Sequence, residues 1–154
     1  MKQEVFDEAK VLVLVEKNKS TLTALKFQNI QMSKNFIQNL TSIINLAELK
    51  ELQFVKCNLD FESGSIIAGI IPKCPKLSIL NFADNQLGKS VQHILKEIST
   101  SNIEVMDISG NIIDLNSFKF PKNFNQSKLK ILNFQNCRIH NYINKEELNS
   151  IFEI

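Results

Sequence analysis

Two histidines, three cysteines and a few paired carboxylates are the side chains here that could do chemistry. Nucleophilic catalysis would need a thiol or hydroxyl held beside a base. His93 falls on the expected polar side of a helix and His140 in a turn near a different segment, so each reads as a solvated surface histidine. Cys57, Cys74 and Cys137 are odd in number and widely spaced, with no C-x-x-C pair and no Cys/His cluster of metal-ligand spacing. That pattern speaks against a disulfide framework or zinc site, and for buried thiols in a reducing, intracellular setting. Cys57 and Cys137 are expected to be buried, whereas Cys74, just before a strand, is expected to be more exposed. Asp7-Glu8 and Glu146-Glu147 read as solvated helix charges, and Ser109-Gly110-Asn111 as a turn rather than a phosphate loop. No catalytic, cofactor-binding or metal-ligating residue is expected. The chain reads as a non-enzyme without cofactors, and a thiol-dependent activity is the enzymatic alternative.

Composition agrees. The 154 residues suffice for one domain with a real core. A hydrophobic fraction of 44% and a charged fraction of 22% are those of an ordinary globular chain. The net charge of +2 is too small to argue for nucleic acid or an anionic membrane. The N-terminus is acidic where an export signal needs positive charge, and Val11-Leu12-Val13-Leu14-Val15 is too short to span a bilayer. Neither nucleic acid nor membrane is expected as a partner.

What positions the side chains is a repeat. The template L-x-x-L-x-L-x-x-N/C-x-L fits five segments in register: Leu22, Leu25, Phe27, Ile30, Met32; Leu49, Leu52, Phe54, Cys57, Leu59; Leu77, Leu80, Phe82, Asn85, Leu87; Ile103, Met106, Ile108, Asn111, Ile113; and Leu129, Leu132, Phe134, Cys137, Ile139. Successive starts differ by 27, 28, 26 and 26 residues. The alternation at slots four and six is that of a short strand with one face buried. At slot nine, where the chain turns away, a buried Asn can satisfy turn backbone groups, and Cys is small enough to stand in. Ile30 cannot hydrogen-bond there, so the first segment departs from the pattern.

Between strands there is room for return helices. Ser33 can cap a helix bearing Phe36, Ile37, Leu40, Ile43 and Ile44. A second carries Ile66, Ile67, Ile70 and Ile71 and stops at Pro72. A third, capped by Ser90, carries Val91, Ile94, Leu95 and Ile98. The return from Asp114 to Ser127, with Phe118, Phe120 and Phe124 around Pro121, is expected to hold at most a short irregular turn. Val5, Phe6, Ala9, Leu12 and Val13 suggest an N-terminal capping helix, although the alternation over Lys10–Glu16 also suits a strand. A last helix is expected from about Lys145 to Phe152. The expected organisation is one domain over 1–154: a capping helix over 2–20, five repeats over 21–140 and a C-terminal helix over 141–154.

These segments resemble the leucine-rich-repeat family, of the ribonuclease-inhibitor type, from about Thr21 onward. Cys74-Pro75-Lys76-Leu77 is also similar to the cysteine-containing repeats of F-box proteins. The resemblance implies an α/β fold, a right-handed β-α superhelix (an LRR solenoid) of about five repeats, with a parallel concave sheet and outer helices. It also implies a non-catalytic module that binds, and inhibits or sequesters, another protein. The alternative is an adaptor that recruits a host protein, for example to a ubiquitin ligase, although no F-box-like helices precede the repeats. Richness in Ile, Asn, Lys and Phe with a single arginine suggests an AT-rich genome. In that respect the chain resembles leucine-rich-repeat effectors that Legionella-like intracellular bacteria deliver into host cytoplasm, some of which restrain a second effector enzyme. A monomer or heterodimer is expected, and an oligomer built through the VLVLV segment is the structural alternative.

The register assigns the partner-binding rows. Slot three holds Ala24, Glu51, Ile79, Val105 and Ile131; slot five holds Lys26, Gln53, Asn81, Asp107 and Asn133; slot seven holds Gln28, Val55, Ala83, Ser109 and Gln135. Ile79, Val105 and Ile131 would form an aliphatic stripe, extended by Val55 and Ala83 and bordered by the polar slot-five row, which is the composition of an interaction patch. The face has no Lys/Arg stripe and no aromatics for stacking bases. Lys119, Lys122, Lys128 and Lys130 form a small basic cluster elsewhere that could steer an acidic partner.

Overall fold

The computed structural model describes residues 6–114 and 121–140. Strands β1 (Ala24–Gln28), β2 (Glu51–Val55), β3 (Ile79–Asn81), β4 (Val105–Asp107) and, two strands later in the chain, β6 (Ile131–Asn133) form one sheet in that order, every pair parallel. Helices α1 (Glu8–Asn18), α2 (Lys34–Ile43), α3 (Phe61–Ile70) and α4 (Ser90–Ile98) alternate with the first four strands and pack each against the next. The architecture is thus α/β, with helices between parallel strands. β5 (Ile112–Asp114) pairs in parallel with β7 (Arg138–His140) in a second, two-stranded sheet that the template did not indicate. His140 therefore lies in a strand and not in the expected turn. The proposed C-terminal helix, with Glu146-Glu147, lies outside the described residues, as do Phe118, Lys119 and Phe120. The described part of the fourth return holds a single 3-10 turn, Phe124–Gln126.

The core follows template slots four and six in the first four repeats; in the fifth, Leu132 is half-buried and Phe134 is 40% exposed. Leu25, Leu52, Leu80 and Met106 at slot four, and Phe27, Phe54, Phe82 and Ile108 at slot six, are buried. The slot-six rings make a column: Phe27 and Phe54 stack at 5.3 Å between centroids, Phe54 and Phe82 at 6.3 Å. Phe6 closes the column edge-on against Phe27 and Phe36. Burying each of these rings contributes about 1.5–3 kcal/mol through its area.

Of the two caps expected, Ser33 and Ser90, the first is matched and the second is not. Ser33 Oγ accepts from Phe36 N at 3.0 Å, as expected. Asp60, not singled out from the sequence, caps α3 by accepting from Ser63 N at 2.8 Å, and this bond holds its carboxyl below the usual range. Ser90, expected as a cap, instead lies buried inside the first turn of α4, with Oγ donating to Leu87 O at 2.7 Å. α3 ends at Ile70 and passes into a 3-10 turn, Ile71–Lys73, because Pro72 cannot continue the α-helical ladder.

The VLVLV segment is helical, with Asp7 as its N-cap. Its buried residue is Val15, with Phe6, Val11 and Leu12 half-buried. Ala9 and Val13, expected on the inner face, are exposed. A helix that packs on one neighbour, α2, needs only one narrow stripe, and here that stripe runs through Val11 and Val15.

Candidate functional site

The open face of the sheet is built by two side-chain devices. At slot nine, Asn85 is buried and saturated. Its Oδ1 accepts from Cys57 N (3.0 Å) and Leu59 N (2.9 Å), and its Nδ2 donates to Phe54 O (2.7 Å), Phe82 O (2.9 Å) and Ala83 O (3.0 Å). Asn111 repeats the scheme one strand on, donating to Phe82 O at 2.8 Å and accepting from Leu87 N at 3.2 Å. The thiols copy the donor half: Cys57 Sγ reaches Phe27 O at 3.5 Å, and Cys137 Sγ reaches Ile108 O at 3.3 Å. In all four, the slot-nine side chain reaches the slot-six carbonyl of the preceding strand. Ile30 breaks no such pattern, since among the described residues no strand precedes β1. Among the described residues no buried side-chain polar atom lacks a partner.

At slot five the residue type sets strand length. Asn81 Oδ1 accepts from Ala83 N at 3.0 Å, Asp107 Oδ1 from Ser109 N at 2.9 Å, and Asn133 Oδ1 from Gln135 N at 3.1 Å. Each is an Asx turn that competes with the sheet ladder, and β3, β4 and β6 stop there at three residues. Where slot five is Lys26 or Gln53, with no such short acceptor, β1 and β2 run for five. Slot eight then takes a left-handed conformation throughout: Asn29, Lys56, Asp84, Gly110 and Asn136 all have φ between 54° and 68°. Four are of the types that tolerate it, a signal legible in the sequence that the template left out. Lys56 is the strained exception. Gly110 is needed twice over, because a Cβ there would also lie 2.1 Å from Asp84 Oδ1.

The pairing brings the expected rows into line. Ala24, Glu51, Ile79, Val105 and Ile131 are successive partners, as are Lys26, Gln53, Asn81, Asp107 and Asn133. Exposure grows along the aliphatic stripe: Ile79 and Val105 are half-buried and Ile131 is 57% exposed. Slot seven departs from expectation. Gln28 and Gln135 are exposed and Val55 and Ser109 half-buried, but Ala83 is only 8% exposed, turned inward by the Asn81 turn, and does not extend the stripe. Of the charged residues in these rows, Lys26 and Glu51 pair with each other at 2.8 Å. Of the basic cluster, Lys130 pairs with Glu104 at 2.9 Å and Lys128 donates to the neutral amide oxygen of Asn102 at 2.6 Å. A second exposed apolar area lies on α1, where Val13 is 68% and Leu14 59% exposed.

The nucleophile candidates stay apart. Cys74, expected to be more exposed, is buried at 3%, its Sγ donating to Ile70 O at 3.2 Å within the 3-10 turn that Pro72 forces. Burial pushes its thiol up to about 11. Burial also raises Cys57 and the half-buried Cys137. His93 is exposed on α4, 3.4 Å from Ser65 Oγ and beside the Phe61 ring. Ser65 Oγ meanwhile donates to Phe61 O, so among the described residues no thiol or free hydroxyl faces the imidazole. Among the described residues no group of three or more His, Cys, Asp or Glu could hold a metal, and no helix is long and apolar enough to cross a membrane. A thiol raised from 9.0 to about 11 is ionised ~100-fold less at neutral pH, and the thiolate is the reacting species. Iodoacetamide on the native chain is therefore expected to modify Cys137 first and to leave Cys57 and Cys74 unmodified until unfolding. Early labelling of Cys74, followed by mass spectrometry, would revive a thiol-dependent activity.

No family model matches the chain, and no curated protein matches it. Among solved structures it is similar to a tropomodulin C-terminal domain from Caenorhabditis elegans (TM-score 0.68, 12% identity, covering 96% of this chain and 90% of that one). It is also similar to the leiomodin-1 actin-binding site 2 (TM-score 0.60, 12% identity, covering 92% and 83%). At that identity the likeness shows the fold alone. It corrects the expectation of a ribonuclease-inhibitor-type protein and of a Legionella-like effector: the domains matched over nearly the whole chain are those of tropomodulin and leiomodin. The physical reason lies in the template. Its slots record which strand residues are buried and which side chain bridges the turn, and those demands are common to proteins of different kinship.

Proposed function

We propose that this chain is a non-catalytic protein-binding module that works through the open face of its five-stranded sheet. In this reading the strand-and-return units form a short right-handed solenoid with that face concave. The observation that carries it is the aligned stripe Ile79, Val105 and Ile131, which with Ala24 and Val55 presents aliphatic surface on a face whose other row residues are the polar Lys26, Gln28, Glu51, Gln53, Asn81, Asp107, Ser109, Asn133 and Gln135. Exposed apolar surface inside a polar rim loses free energy on docking. The leiomodin-1 domain of similar fold is itself an actin-binding site, which supports a protein partner for this one. Covering a partner enzyme, and so inhibiting or sequestering it, is the finer reading, and recruitment as an adaptor is its alternative. The partner is taken to be a protein rather than nucleic acid or a membrane. Three unpaired cysteines, each with its thiol raised, suit a reducing compartment.

The test compares wild type with an Ile79→Glu/Ile131→Glu double variant, checked for folding by circular dichroism. Both are used as bait in cell lysate and, separately, with filamentous actin. A partner held by wild type and lost by the folded variant supports the open face; equal capture by both moves binding elsewhere. An oligomer through α1 is the competing reading, favoured by exposed Val13 and Leu14. Light scattering decides it, since a strict monomer removes it.

A further inference from the structure

We infer that the open face receives a partner segment carrying a lysine or arginine beside an aliphatic side chain, the cation seated on Asp107 and the aliphatic group on Val105 and Ile131. The inference rests on the open face being the binding surface, and adds what that surface selects.

The turn at slot five needs one acceptor oxygen. Asn81 and Asn133, on the strands flanking Asp107, supply it as neutral amides at 3.0 and 3.1 Å. The negative charge at Asp107 is therefore surplus to the turn. It is also uncompensated. Asp107 Oδ1 accepts from Ser109 N at 2.9 Å and Ser109 Oγ at 2.6 Å, and Oδ2 accepts from Asn133 Nδ2 at 3.0 Å. All three donors are neutral, and among the described residues no cation pairs with it. The other charges in the three rows, Lys26 and Glu51, neutralise each other at the far edge of the sheet. Asp107 is half-buried, so part of its hydration is already gone and an arriving cation is screened less than at a fully exposed site.

Its neighbours supply the second half. Val105 lies two residues back on the same strand face, about 7 Å away, and pairs across the sheet with the exposed Ile131. The carboxylate and the widest part of the stripe are thus within reach of one short segment. A lysine or arginine can lay its methylene stem along the stripe and put its head on the carboxylate. An acidic segment would meet Asp107 as a like charge and be rejected.

The experiment selects a displayed library of random peptides on the full chain and then measures binding of the selected peptides to Ile131→Glu. The expected sequences place Lys or Arg next to Leu, Ile or Phe. Their affinity is expected to fall about tenfold on Asp107→Asn and to weaken with rising salt. The same substitution should leave the unfolding midpoint near wild type, since an amide already makes this turn twice. Selected peptides without basic bias, or bound equally by Asp107→Asn, overturn the inference while leaving the open face as the site. Peptides indifferent to Ile131→Glu, or no enrichment at all, overturn the open face itself.

Discussion

Asn85→Ala is expected to destabilise the fold by about 3–5 kcal/mol, measured by urea unfolding. The substitution strips partners from Cys57 N, Leu59 N and Phe54 O, all inside the protein. A buried polar group left without a partner costs about 1–3 kcal/mol, and the side chain serves several. Asn85→Cys should fall in between. At slot nine Cys57 and Cys137 show that a thiol can still donate to the preceding strand's carbonyl, but it leaves Cys57 N and Leu59 N unmet. Equal losses for Ala and Cys would mean that the carbonyl bond contributes little. A loss under about 1 kcal/mol for Ala would mean that water enters and replaces the amide.

Gly64→Ala carries the second large effect, about 3 kcal/mol of destabilisation. A Cβ at Gly64 would lie 2.1 Å from Ser90 Oγ, 2.9 Å from Ser90 Cβ and 3.0 Å from Leu87 Cδ2. Ser90 cannot step aside, being buried and bonded to Leu87 O, so α3 and α4 must separate, which overpacked cores resist at about 1–3 kcal/mol or more. Gly69, five residues along the same helix, is the control. Nothing lies within 4 Å of its added Cβ, so Gly69→Ala should stabilise by about 0.5–1 kcal/mol through helix propensity. If the two changes have the same sign, the close approach at Ser90 is not limiting.

Much of this was readable from residue types. The buried slots, the strand register and the helices around Phe36, Ile67 and Ile94 follow from periodicity, because burial on one face imposes period two on a strand and 3.6 on a helix. The rows of the candidate site follow from the same register. Features set by a single hydrogen bond or a neighbour's shape escaped it. Ala83 looked like a surface residue until the Asn81 turn drew it in, and Cys74 looked accessible until the turn at Pro72 enclosed it. Ser90 has the chemistry of a cap, yet packing against Gly64 put it inside the helix. The face that α1 buries depended on how it rests on α2, which no pattern within α1 specifies. Slot eight was legible in principle: Asn, Asp and Gly recur there, and only Lys56 disguises the rule.

The slot-nine clasp has a direction. Each of Cys57, Asn85, Asn111 and Cys137 grips the carbonyl of the strand before it in the chain. On a ribosome, every clasp therefore closes onto a strand that has already emerged, and each strand's slot-six carbonyl stays open until the next unit arrives to clasp it. The order of synthesis and the order of fastening coincide, so the sheet can be zipped from β1 onward as the chain is made.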